Sequence, residues 1–142
     1  MSVYLRYQSA APNRRGVYPG VFAMANGLAT EKCLSPDDLS WWRAANQRAT
    51  RLYIDPSTVV PDCYDTELNP GARSWYRESA HELLALTHSY LELLDRYGVR
   101  WTELRTSHPG RLTYEDDVQV VAVPLGYPDD WPFLPTGTRS HL

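Results

Sequence analysis

From Tyr76 to Tyr97 the apolar positions recur at intervals of four and three, as Tyr76, Ala80, Leu83, Thr87, Tyr90, Leu94 and Tyr97. That spacing gathers one stripe on a helix, flanked by Leu84 and Leu91, and leaves Glu78, His81, His88 and Glu92 on the opposite, solvated face. It predicts a helix from about Arg73 to Tyr97, ended by Gly98 where a left-handed cap belongs. A helix apolar on one side must lay its stripe on another layer. What that layer is made of decides the fold class.

The two ends of the chain supply it. "VYLRYQ", Val3 to Gln8, alternates β-branched and aromatic residues and predicts a strand. "VRWTELRT", the turn "SHPG" and "RLTYEDDVQVVAVP" predict a β-hairpin. Between them lie a short helix from about Gly20 and a better-marked one after Ser35. In the latter Ser35 suits the N-cap, Pro36 the first helical position, and Asp37 and Asp38 the positive end of the dipole. The stretch "IDPSTVVPDCYDTELNPGA" has three prolines and no period. It reads as a long ordered loop, a kind of segment that often carries function. The expectation is an α+β fold, with about three helices packed on a small antiparallel sheet formed by the N-terminal strand and the C-terminal hairpin. Residues 1–124 make one globular domain, and 125–142 a proline-rich tail packed on the domain or on a partner.

A chain of 142 residues, 43% hydrophobic and 22% charged, has the size and composition of one ordinary domain. The net charge of −3 gives no general reason to bind nucleic acid. No apolar run approaches the roughly 20 residues that cross a bilayer, and the N-terminus lacks the apolar core of a signal peptide, so a cytoplasmic protein is expected. Cys33 and Cys63 have neither CxxC nor histidine spacing for zinc and read as reduced packing residues. His81 and His88 are about 10 Å apart along a helix axis, too far for one ion. No metal and no cofactor is expected. Thirteen arginines against one lysine match the codon supply of a GC-rich genome, and their number is not a binding signature.

Glu115, Asp116 and Asp117 sit directly before the strand-like run Val118 to Val121, where acids are disfavoured. If "SHPG" is the turn, Arg100 faces Asp117, Trp101 faces Asp116 and Thr102 faces Glu115. Asp117 then has a cross-strand cation. Asp116 points to the apolar face, where it needs Arg6, Arg14 or Arg15 as a partner, or a bulge that turns it outward. The acids read first as ion-pair and bulge residues. The second reading makes Glu115 or Asp116 the acidic catalytic group of a cleft.

"PNRRGVYPGVF" is the ligand-binding candidate. Arg14 and Arg15, two glycines and a following helix start form a plausible anion cradle, with Tyr18 beside it and Arg6 and Gln119 on neighbouring strands. It contains neither GxGxxG nor GxxxxGK[ST], so no nucleotide fold follows. No GxSxG elbow or Cys/His signature nominates a nucleophile. In the tail, Trp131 and Phe133 pack on the domain's own surface or on a second copy of the chain.

The runs "RRGVYPGVFAMANGLA", "WWRAANQRAT", "DPSTVVPDCYD", "LNPGARSWY" and "YEDDVQVVAVP" resemble small single-domain proteins of actinobacteria with no known activity. That resemblance implies a bacterial, cytoplasmic protein and transfers no functional residue. More distantly the chain is similar to ADP-ribosyltransferase-like folds, which would give Arg6 the first-strand position and Glu115 that of the ribose-orienting acid. The middle serine motif of that group is not evident. The leading expectation is a non-catalytic ligand-binding or regulatory domain for a small anion. An enzyme acting on a phosphate- or carboxylate-bearing substrate, and a dimerisation module, are the alternatives.

Overall fold

The computed structural model describes residues 2–127. Their order is β1 (Tyr4–Ser9), α1 (Val21–Thr30), α2 (Pro36–Leu52), a single 3-10 turn at Pro56–Thr58, β2 (Arg73–Arg77), α3 (His81–Arg96), β3 (Trp101–Thr106), β4 (Arg111–Glu115) and β5 (Gln119–Val123). The fold is α+β, with three helices against a five-stranded antiparallel sheet of order β3-β1-β2-β5-β4. Both predicted β segments are present, and the sheet is larger than they imply.

The additional strand comes from the helical stripe. Arg73 to Arg77 is extended and forms the centre of the sheet, so α3 starts at His81 rather than at Arg73. Trp75 and Tyr76 are adjacent and both buried, and since neighbours on a strand point to opposite faces, β2 is covered on both sides. Tyr76 and Ala80 happen to continue the spacing of Leu83, Thr87, Tyr90 and Leu94, and that coincidence lengthened the expected helix. From Leu83 onward the stripe is as expected, buried against Leu5, Tyr7, Val21 and Ala25. Ser35 accepts from the Asp38 N–H at the start of α2, as a cap should. Tyr97 and Arg96, at the end of α3, bond the Asp38 carboxylate and tie the two helix ends together.

The strands flanking "SHPG" do not pair. β3 pairs with β1, Thr106 opposite Tyr4, and β4 pairs with β5, Arg111 opposite Val123. Arg100, Trp101 and Thr102 therefore do not face Asp117, Asp116 and Glu115. The hairpin turn is the acidic stretch itself. Ser107 to Gly110 instead link the two edge strands of the sheet. In a flat sheet those edges stand about 19 Å apart, more than the roughly 18 Å that five extended residue steps span at most. The sheet is accordingly curled, and Tyr4, Trp75, Leu104, Val120 and Ala122 form a buried cluster on its inner face. On the outer face the helices cover β1 and β2, while the loop 54–72 lays Val60 and Cys63 over Tyr114, Val121 and Val123. Cys63 is a buried packing thiol, whereas Cys33, expected to be one, is exposed. No helix of the described residues is long and apolar enough to cross a membrane. The tail residues Trp131 and Phe133 lie outside the described residues.

Candidate functional site

β1 changes neighbours part-way along. Tyr4 and Leu5 pair with Arg77 and Tyr76 on β2, and from there β1 pairs on that side with the loop leading into α1, Gln8 opposite Gly20. The Ser9 N–H donates to the Pro19 carbonyl at 2.8 Å and fixes that loop against the strand. A gap is left between β1 and β2, and Arg6 fills it. Its Nε donates to Gln8 Oε1 at 2.7 Å, Nη1 to the Ser74 carbonyl and Nη2 to the Tyr18 carbonyl, both at 3.1 Å. The side chain thus joins two elements that no longer share a ladder.

Above this gap lies a cavity of about 400 Å³. It is walled by β1, the loop 17–20, the first turn of α1, Tyr53, Asp55 and Pro56, Tyr64, and Ala72 to Ser74, with Gln119 from β5. Phe22 packs its ring on Tyr53, Tyr76 and Tyr90 at centroid distances of 5.6, 6.2 and 4.6 Å, so one wall is aromatic and rigid. Asp55 also lines the cavity, its Oδ1 accepting from the Ser57 N–H and hydroxyl.

The electrostatics are unusual for a buried gap. Arg6 is only 6% exposed and all three of its acceptors are neutral. Burial, with Arg73 beside it, pushes its pKa down to about 10, still charged at neutral pH. A guanidinium has five N–H donors, and three are spent, leaving one on each Nη without a partner among the described residues. Both Nη atoms lie against the start of α1, 3.6 and 3.7 Å from where a Cβ on Gly20 would stand. Gly20 is the N-cap of that helix and offers no capping side chain, so the N–H groups of the first turn add to the same positive field. Burial raises the phenol pKa of Tyr53 to about 12 and also raises those of Tyr64 and Tyr76, which keeps all three hydroxyls protonated and able to donate.

Of the residues the sequence nominated, Arg6, Tyr18 and Gln119 line this cavity. Arg14 and Arg15 do not. They are exposed in a turn where Asn13 Oδ1 accepts from the Arg15 and Val17 N–H groups. Glu115 and Asp116 are also outside the lining. Glu115 is exposed and pairs with Arg77 at 2.9 Å, while Asp116 Oδ1 accepts from the N–H groups of Val118 and Gln119 and Oδ2 from the Tyr114 hydroxyl. None of the arginines considered for Asp116 is its partner, and the one bulge in the β4–β5 ladder falls between Leu112 and Tyr114. Sequence reasoning missed Arg73, Ser74, Tyr53, Tyr64 and Asp55. Arg73 and Ser74 were hidden by their assignment to a helix. The unusual length of the loop 54–72 was the available signal for Asp55 and Tyr64. No group of three His, Cys, Asp or Glu suited to a metal is found among the described residues.

No protein-family model, curated protein or solved structure matches this chain.

Proposed function

We propose that the protein is a non-catalytic ligand-binding domain that takes a small anion in the cavity between β1, β2 and the start of α1. The observation that carries this is Arg6, a buried cation bonded only to neutral acceptors, with two donors left at an uncapped helix start. A buried charge without an opposite charge costs several kcal/mol, and a bound anion would offset that cost. The described lining has no histidine or cysteine, and its one carboxylate, Asp55, is engaged by Ser57. That favours binding over catalysis. The likeness to actinobacterial proteins and the two free thiols fit a bacterial, cytoplasmic setting.

A thermal-shift screen against carboxylates, phosphosugars, nucleotides and NAD tests the proposal. Saturable stabilisation of the wild type by an anion is expected, kept in Arg15→Ala and lost in Arg6→Gln. Stabilisation by none of these anions, or stabilisation that depends on Arg15 and not on Arg6, would overturn it.

A further inference from the structure

We infer that the ligand is a flat aromatic monocarboxylate, held by its carboxylate at Arg6 and the first turn of α1 and by its ring against the aromatic wall. This rests on the anion-binding reading and narrows it. One N–H remains on each Nη of Arg6 after the bonds to Ser74 and Tyr18, so the guanidinium still has two donors to offer the two oxygens of a carboxylate, the planar anion it pairs with best. Arg6 brings one buried positive charge to the lining and its three acceptors are neutral, so one negative charge matches it. A phosphate monoester would bring a second charge close to Asp55.

The rest of the lining argues the same way. Gln119 donates one amide N–H to the Ile54 carbonyl at 2.8 Å, which fixes its side chain at the cavity wall. Phe22, Tyr53 and Tyr76 all line the cavity and pack on one another, an aromatic cluster suited to a second π-system. A volume of about 400 Å³ lies near the small end of the about 300–1,000 Å³ range of ligand pockets. One or two fused rings with a carboxylate fill such a space, and a dinucleotide does not.

Titration calorimetry with benzoate, 1-naphthoate, cyclohexanecarboxylate, benzamide, inorganic phosphate and AMP tests the inference. Benzoate and 1-naphthoate should saturate one site, cyclohexanecarboxylate should bind more weakly, and benzamide should not bind. Arg6→Gln should weaken 1-naphthoate about tenfold or more, the loss of a hydrogen-bonded charge. Gly20→Ala keeps an ordinary backbone (φ −77°) while setting a methyl against both Nη atoms, and it should weaken binding too. If Arg6→Gln does not fold, amide NMR of the wild type decides: 1-naphthoate must shift the Phe22 and Ala23 N–H signals, and their silence overturns the inference. Binding of phosphate or AMP through Arg6 with no binding of the aromatic acids overturns the inference and leaves the anion reading standing. Binding of none of these anions removes both.

Discussion

Asp116 shows how much one carboxylate can organise when it accepts from its own turn. Burial raises its pKa, but the Tyr114 hydroxyl and the N–H groups of Val118 and Gln119 outweigh burial and hold the carboxyl below its ordinary value. The same bond pushes the Tyr114 phenol up to about 12. Because the folded-state value of Asp116 is depressed, its stabilising contribution is present above the ordinary carboxylate pKa and is lost as pH falls through the folded value. Asp116→Ala should therefore cost about 1–3 kcal/mol in urea unfolding at pH 7, and the cost should shrink as the pH is lowered below the ordinary carboxylate range and through the folded value. Glu115→Gln should change stability by less than about 1 kcal/mol at pH 7, since its partner Arg77 meets it at an exposed site. Equal costs for the two substitutions at neutral pH would refute this account of the turn. The sequence marked these acids as out of place in a strand, which holds for Asp116 and Asp117 in the turn and not for Glu115, the last residue of β4. Their role was not legible, because an Asx-type turn looks from sequence like polar residues interrupting a strand.

At the level of elements, legibility followed one-sidedness. α2 and α3 from His81 onward each have one wet face, so their spacing, and for α2 its Ser35 cap, identified them. β2 is buried on both faces and has no alternation to read, and its five residues lay beside a helical period that absorbed them. The hairpin was misplaced for a related reason. "SHPG" has turn residues, yet it serves as a link between strands that do not pair, and the two-residue turn at Asp117 and Val118 lacks glycine. Gly110 ends that link at φ +127°, and a Cβ there would stand 2.0 Å from the Val123 carbonyl oxygen. Gly110→Ala should cost about 2 kcal/mol or more, from strain and the displaced β5 backbone. Gly16→Ala, also at positive φ but with no heavy atom within 4 Å, should cost only the left-handed penalty of about 1–2 kcal/mol. A comparison of urea midpoints checks the order, and a reversed order would show that Gly110 is not a point of close approach.

At the level of the whole molecule, the candidate site exists because the sheet is assembled from distant parts of the chain. Arg6 was identifiable as a candidate from the sequence, but its partners were not, since Ser74 and Tyr18 reach it only once β1 and β2 have parted. Trp75 and Leu104 share the inner cluster with Tyr4 and Val120, so inner and outer layers meet at the same central strands. The described residues should unfold as one unit. Urea transitions followed by tryptophan fluorescence and by far-ultraviolet circular dichroism should coincide, and separated midpoints would mean that helices and sheet are independent. Refolding should be slow for the size, on the order of milliseconds to seconds, because so many of its strand pairs are non-local.

The placement of β1 between β2 and β3 also bears on how the chain is made. β1 is synthesised before either neighbour, and both its six-pair ladder to β3 and its two-pair ladder to β2 wait for segments that leave the ribosome much later. Until then its backbone edges are unpaired on a nascent chain, and the contact within reach is the short one to Gly20. The loop that walls the candidate site would thus be the first cover β1 receives during translation, before the cavity it will enclose has formed.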